Sequence, residues 1–150
     1  MVCDLSSGRL TAAQALGAQA VVNAKSGDVM ASVLDWTAGE GVDLVVDAAG
    51  SAATKWLALA ALRPGGAAVW IGLHDDAFEI SSYGITLPEK QIFGTYAARM
   101  DELSDALELM NQGKVDVSTW TETVPLAQAI PAFRRMLTPA EHDIKAVFVP

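Results

Sequence analysis

Gly41-Val42-Asp43-Leu44-Val45-Val46-Asp47-Ala48-Ala49-Gly50 is the stretch that decides the fold of this 150-residue chain. Its uninterrupted apolar core predicts a strand from Val42 to Asp47 that is buried on both faces. The small residues that follow predict a turn into a helix from about Ala52 to Leu62. The segment Arg63-Pro64-Gly65-Gly66 ends that helix, and Ala67 to Ile71 is predicted as the next buried strand. This order is a β-α-β unit of a parallel sheet.

The same alternation extends from this unit towards both ends of the chain. After Gly72 the rhythm changes to a loop from His74 to Pro88, in which Phe78 to Ile80 is a candidate short strand. The further elements predicted are helices from Ser7 to Leu16, from Asp28 to Trp36, from Asp101 to Asn111 and from Pro125 to about Leu137, and strands at Ala20 to Val22, Lys90 to Thr95, Ser118 to Val124 and Ile144 to Val149.

Met1-Val2-Cys3-Asp4 is read as the end of a buried strand closed by a carboxylate. In a doubly wound nucleotide-binding sheet, an acid at the end of the second strand binds the adenosine ribose, and a first strand with a Gly-rich turn lies about 20 residues earlier. We therefore expect an α/β, Rossmann-like doubly wound parallel sheet that lacks its first strand and Gly-rich turn. Residues 1–97 are assigned to this partial dinucleotide-binding domain, and residues 98–150 to a C-terminal helix and strand extension.

Composition and charge exclude several functional classes. The net charge of −8 argues against nucleic acid and anionic membranes as partners. No apolar run approaches the ~20 residues of a membrane span. A single cysteine excludes an internal disulfide framework and fits a reducing compartment, so we expect a cytoplasmic protein.

The ordered motifs resemble the zinc-type medium-chain alcohol dehydrogenase superfamily, in its C-terminal cofactor-domain portion. The polyol, sugar-phosphate and threonine dehydrogenases are the branches most similar to this chain. The motifs are Val2-Cys3-Asp4 with Arg9, Leu16-Gly17-Ala18 followed by Ala20-Val21-Val22-Asn23, the opening stretch Gly41 to Gly50, Leu62-Arg63-Pro64-Gly65-Gly66, and Ile144-Lys145-Ala146-Val147.

The resemblance implies a fragment of an NAD-dependent, zinc-assisted dehydrogenase that moves a hydride from a secondary alcohol to NAD. The family's N-terminal catalytic domain, with its zinc ligands, has no counterpart in this sequence, so the zinc would belong to the parent enzyme. That missing domain is therefore an expected partner. We expect the isolated chain to be inactive and to bind NAD weakly or not at all. The family also pairs strands across a two-fold axis, which predicts a homo-oligomer through Lys90 to Thr95.

Asp4 is the strongest candidate for cofactor binding. Its carboxylate would accept hydrogen bonds from the ribose hydroxyls and repel a 2′-phosphate, which favours NAD over NADP. By resemblance, Arg9 flanks the adenosine pocket, although an arginine there can also accept a 2′-phosphate. The alternative for Asp4 is an ordinary solvated carboxylate at a strand end, and the alternative for Arg9 is a solvent-facing cation on a helix.

The remaining cofactor candidates follow later strands. Small residues after the Val42 strand would let the cofactor approach the backbone closely, while the resemblance assigns main-chain contacts with the nicotinamide and a cation for the pyrophosphate. The alternatives are ordinary turns, strand ends and a solvent-facing edge residue. The candidates in this set are Ala48, Ala49, Gly50, Ile71, Gly72, Leu73, Ala97 and Lys145.

No catalytic or metal-binding residue is predicted within the chain. His74 and His142 are interpreted as solvated, and Cys3 as a small apolar filler in a buried strand. The acids Asp75, Asp76 and Glu79 match no standard metal-site spacing.

Two other functions are open at this point. A methyltransferase dependent on S-adenosylmethionine also places an acid after its second strand, and often carries a Leu-Arg-Pro-Gly-Gly element. However, it needs a Gly-rich first turn and usually ends in an antiparallel hairpin, neither of which is clear here. A non-enzymatic half-Rossmann domain that acts by oligomerising is the third possibility.

Overall fold

The computed structural model describes residues 1–118, 120–137 and 144–150. Helices and short strands alternate throughout this part of the chain, as the sequence predicts. The elements are β1 (Val2–Asp4), α1 (Ser7–Ala15), β2 (Val21–Asn23), α2 (Val29–Trp36), β3 (Val42–Asp47), α3 (Ala52–Ala61), β4 (Leu62–Trp70), α4 (Tyr83–Thr86), β5 (Gln91–Gly94), α5 (Met100–Asn111), β6 (Thr121–Pro125), a 3₁₀ turn (Leu126–Gln128), α6 (Ala129–Leu137) and β7 (Lys145–Val149).

All strand pairs in the described residues are parallel, which confirms the predicted α/β architecture. Among the described strands, three separate sheets form, with the orders β1-β2, β3-β4-β5 and β6-β7. The chain divides into two compact units, one of residues 28–98 and one of residues 1–27 with 99–150.

The unit of residues 28–98 is built on the β3-β4-β5 sheet, and α3 packs against one of its faces. Ser51 caps α3 because its hydroxyl accepts from the Thr54 amide at 3.1 Å, while the Ser51 amide donates to the Thr54 hydroxyl at 3.0 Å. Leu59 from this helix meets Leu62 and Ala68 in the buried core. These contacts fix the position at which the chain leaves β3 and β4.

The other unit contains the two-stranded sheets. In the first, Val2 pairs with Val21 and Asp4 with Asn23, and α1 follows β1 with Ser6 as its N-cap. Leu10 is the buried residue of α1. In the second, β6 and β7 pair over five positions.

Several boundaries differ from the sequence-based expectations. The strand predicted from Ala67 begins at Leu62, because Leu62 already pairs with Val42 and an irregularity in register follows before Leu44. No strand forms at residues 78–80, and this loop contains the short helix α4 instead. The helix expected from Pro125 begins at Ala129, since Pro125 is the last residue of β6.

The expectation that the strands are buried on both faces is wrong. Val45, Ala68 and Ile92 lie on the face that packs with the Leu59 core. On the opposite face, the exposed fractions are 57% for Leu44 and 55% for Val46. Cys3 in β1 is also exposed, rather than the buried filler that the sequence suggests.

None of the described helices is long and apolar enough to cross a membrane.

Candidate functional site

Asp4 lies at the carboxyl end of β1, half-buried, where the chain turns into α1. Its Oδ1 accepts from the Ser6 amide at 2.8 Å, and its Oδ2 lies 3.8 Å from Nη1 of Arg9. A carboxylate has about four acceptor positions, so these two contacts leave acceptor positions for the two hydroxyls of a ribose. The structure thus brings together the two residues that were predicted to hold the adenosine.

Lys145 is the first residue of β7, opposite Thr121 of β6. It is exposed, and it belongs to a different sheet from Asp4. Its assignment to the pyrophosphate stays a prediction.

In the unit of residues 28–98, a buried carboxylate organises the ends of β3 and β4. Asp47 is 5% exposed, and its Oδ1 accepts from the amides of Ala49 at 3.1 Å and Gly50 at 3.0 Å. Its main-chain carbonyl accepts from the amides of Ile71 and Gly72, both at 3.0 Å. The sequence analysis did not name Asp47 as a candidate residue. The sequence nevertheless carries the same signal at Asp4 and at Asp47, namely an acid that ends an apolar strand.

Gly50 and Gly72 meet backbone to backbone at this junction. Gly50 has a φ of +78°, and a Cβ added at Gly50 would overlap the main chain of Gly72. A Cβ added at Gly72 would equally overlap Gly50 and the carbonyl carbon of Ala49. Only glycine therefore fits either position, and the two predicted triads, residues 48–50 and 71–73, form one surface. Ala48, Ala49, Ile71 and Leu73 are exposed on it.

A polar group that the sequence analysis did not assign fixes the far side of this junction. Asp75 Oδ2 accepts from the amide of Ala52, the first residue of α3, at 2.7 Å. Its Oδ1 lies 2.8 Å from Nδ1 of His74. The Ala52 amide, followed by the His74 hydrogen bond, holds the pKa of Asp75 below its ordinary value. Ala52 and Asp75 are 23 residues apart, so no local pattern could have paired them.

The other histidine and cysteine interpretations have mixed outcomes. His74 is exposed, as expected for a solvated loop residue, although it pairs with Asp75. His142 lies outside the described residues. Cys3 is exposed as a residue, but partial desolvation of its thiol, reinforced by the charge of Asp4, raises the pKa of that thiol. Ala97 follows β5 in the loop, exposed and with a φ of +56°.

Among residues 1–118, 120–137 and 144–150, no cluster of three or more His, Cys, Asp or Glu side chains could hold a metal ion. The described residues therefore do not fit a zinc site.

Comparison with known proteins gives this arrangement a context. The sequence model for zinc-binding dehydrogenases matches residues 1–112. The chain belongs to the zinc-binding dehydrogenase family. The resemblance drawn from the ordered motifs is thereby confirmed.

Two curated relatives of this chain are named for different coenzymes. An NAD-dependent alcohol dehydrogenase of Sulfurisphaera tokodaii is 30% identical over 84% of this chain and 36% of its own length. An NADP-dependent isopropanol dehydrogenase of Entamoeba histolytica is 33% identical over 68% of this chain and 29% of its own length. Family membership therefore supports a nicotinamide coenzyme without distinguishing NAD from NADP.

Solved alcohol dehydrogenases share the fold. The crystal structure of the alcohol dehydrogenase from Aeropyrum pernix superposes with a TM-score of 0.86 and 26% identity, over 99% of this chain and 42% of that one. The Rossmann-like fold prediction is thus confirmed. The chain spans well under half the length of these relatives.

Proposed function

We propose that this chain is the coenzyme-binding portion of a dehydrogenase that oxidises a secondary alcohol with NAD. The observation that carries the proposal is the Gly50–Gly72 junction at the carboxyl ends of the adjacent parallel strands β3 and β4. Ligands of open parallel sheets bind beyond these strand ends. Two turns that tolerate no Cβ, flanked by exposed small or apolar residues, suit the close approach of a coenzyme to the backbone.

In this proposal Asp4 selects the coenzyme. Its carboxylate would accept from the 2′- and 3′-hydroxyls of NAD and would repel the 2′-phosphate of NADP. Arg9 would cover the adenine, where the guanidinium can stack on the ring. The 3.8 Å separation between Arg9 and Asp4 is looser than a hydrogen bond, so the guanidinium is free to move onto a base.

The nicotinamide end would lie against residues 71–73, whose exposed main chain follows β4. There NAD supplies the hydride acceptor. Ala97 and Lys145 are proposed for a backbone contact and for the pyrophosphate, because both are exposed. In this proposal the zinc chemistry belongs to the catalytic domain of the complete enzyme, because the described residues offer no ligand set.

Heteronuclear NMR of the isotope-labelled 150-residue chain tests the coenzyme site. Of the weak or absent binding expected for the isolated chain, the exposed surface beside Gly50 and Gly72 favours weak binding. NAD at millimolar concentration should therefore shift the amide signals of Asp4, Ala49 and Gly72 until the site is saturated. Asp4→Ala should bring the affinities for NAD and NADP together. The control is Asp35→Ala, which removes an equal charge from an exposed position on α2. An absence of shifts at all three amides would refute the assignment.

We also propose that β5 pairs with its counterpart in a second copy of the chain. β5 is at one edge of the β3-β4-β5 sheet, and its Phe93 side chain is half exposed. An unpaired apolar edge favours association. Sedimentation should show a dimer that Phe93→Lys converts to a monomer, whereas Tyr96→Lys, also exposed but outside the strand, should not. A wild-type chain that sediments as a monomer up to 100 µM, about the range of a weak interface, would contradict this.

A further inference from the structure

Lys55 is a buried cation on α3. Its residue exposure is 8%, and Nζ donates to the main-chain oxygen of Asp75 at 2.5 Å. The ring centroids of Trp70 and Phe78 lie 5.9 Å and 5.7 Å from Nζ. Burying a charge is costly unless polar groups replace water, and cation–π contacts supply part of that compensation. Lys55 thus holds α3 to the segment that follows β4.

Asp75 fixes the same segment through three further contacts. Its carboxylate accepts from the Ala52 amide at the start of α3 and pairs with His74. Its own amide donates to the Gly50 carbonyl at 3.0 Å. Each contact reaches a different partner, so Asp75 ties the segment both to α3 and to the turn after β3.

Residues 71–73 are consequently held at both ends. At the start of the segment, the Ile71 and Gly72 amides donate to the Asp47 carbonyl. After them, Asp75 and Lys55 close the segment against α3. Ile71 and Leu73 nevertheless keep exposed side chains, so burial of those side chains does little to order the segment between its two anchors.

We infer that Lys55 and Asp75 are positioning residues, which hold the main chain of residues 71–73 in the conformation that receives the nicotinamide. The inference rests on the proposed coenzyme site. When an exposed segment must be ordered on binding, the affinity for the ligand falls by about tenfold for each residue whose backbone becomes fixed. The clamp formed by Lys55 and Asp75 removes that loss in advance, which is preorganisation of a binding surface.

The test compares Asp75→Asn and Lys55→Met with wild type in the 150-residue chain. Lys55→Met keeps the length of the side chain and removes its charge and donor. The matched control is Asp76→Asn, the same change at the neighbouring exposed acid. Two readouts are taken, namely amide hydrogen exchange at Gly72 and Asp75, and the dissociation constants of NADH and of ADP-ribose, which lacks the nicotinamide.

We expect each clamp variant to speed exchange at Gly72 and Asp75 and to weaken NADH about tenfold. ADP-ribose affinity should stay within about twofold, because the nicotinamide end alone depends on the clamp. The Asp76→Asn control should leave amide exchange at Gly72 and Asp75 and both dissociation constants unchanged. A loss of ADP-ribose affinity equal to that of NADH would show only a general structural role and would overturn the inference.

Failure of the proposed function has a different signature. If wild type binds neither NADH nor ADP-ribose, the coenzyme site is refuted. The clamp itself is then judged by exchange alone, and unchanged exchange at Gly72 and Asp75 in both variants refutes it. Asp75→Asn changes a side chain that is partly exposed, so it supplies a result even if Lys55→Met fails to fold.

Discussion

Gly50→Ala is the substitution for which the structure gives the sharpest expectation. The left-handed φ of +78° costs an L-residue about 1–2 kcal/mol. The added Cβ would also overlap the carbonyl carbon and oxygen of Gly72, which are backbone atoms and cannot rotate away. Forced overlap in packed structure costs about 1–3 kcal/mol. The sum is a destabilisation of roughly 2–5 kcal/mol.

Two other glycines of the same unit separate these contributions. Gly39 has a φ of +89° and nothing within 4 Å of an added Cβ, so Gly39→Ala should show the backbone cost of about 1–2 kcal/mol alone. Gly72 does not have a positive φ, but its Cβ would overlap Gly50, so Gly72→Ala should show the overlap cost of about 1–3 kcal/mol. Alanine also lowers the conformational entropy of the unfolded chain. This effect is common to all three variants, so it cancels when their free energies of unfolding are compared.

Urea unfolding followed by far-ultraviolet circular dichroism measures the three differences in free energy of unfolding. Gly50→Ala should be the least stable, with Gly39→Ala and Gly72→Ala each nearer to wild type. If Gly50→Ala and Gly39→Ala agree within about 0.5 kcal/mol, which is the usual size of a surface effect, the backbone contact between Gly50 and Gly72 does not exist in solution.

Three further outcomes are expected. The raised pKa of Cys3 predicts that its thiol reacts with Ellman's reagent at pH 8 more slowly than an unperturbed cysteine, and that Asp4→Asn speeds the reaction; equal rates would contradict the effect of Asp4. Leu59→Ala should destabilise the chain by about 2–5 kcal/mol in urea, because this side chain is buried in the core; a smaller loss would mean that the core is loosely packed. The lowered pKa of Asp75 means that its stabilisation is complete above the unfolded value of about 3.9 and is lost as the pH falls through the folded pKa. The urea midpoint should therefore fall less steeply below pH 4 in Asp75→Asn than in wild type, and parallel curves would refute the hydrogen bond to Ala52.

Local signals predicted most of the secondary structure. β3 has the predicted bounds because its apolar run is long and is closed by Asp47. Ser51 and Asp28 cap α3 and α2 through hydrogen bonds within three residues, which sequence spacing can anticipate. The early start of β4 could not be read, because its pairing with Val42 depends on a partner strand and crosses an irregularity.

Candidate residues that directly follow a strand could be predicted from the sequence. Candidate residues whose surroundings depend on contacts between distant parts of the chain could not. Asp4 and residues 48–50 and 71–73 were singled out from their places after strands, and their assignment to the coenzyme stays a prediction. Lys55 was not, because a lysine inside a helix is ordinarily solvated. Its burial arises from Trp70, Phe78 and the Asp75 carbonyl, which the fold alone brings together.

The exposed face of the β3-β4-β5 sheet bears on why the isolated chain should bind NAD weakly. The apolar run in β3 is typical of a strand in a parallel sheet that is covered on both faces, yet Leu44, Val46 and Phe93 are each more than half exposed. β3 is also at an edge of its sheet among the described strands. A sequence with this pattern is suited to a sheet that has a further strand beside β3 and a layer over Leu44 and Val46. A pyrophosphate is normally bound by main-chain amides at the start of a helix next to such a strand. The surface formed by Gly50 and Gly72 would therefore contact only part of the coenzyme, which is why we expect weak binding.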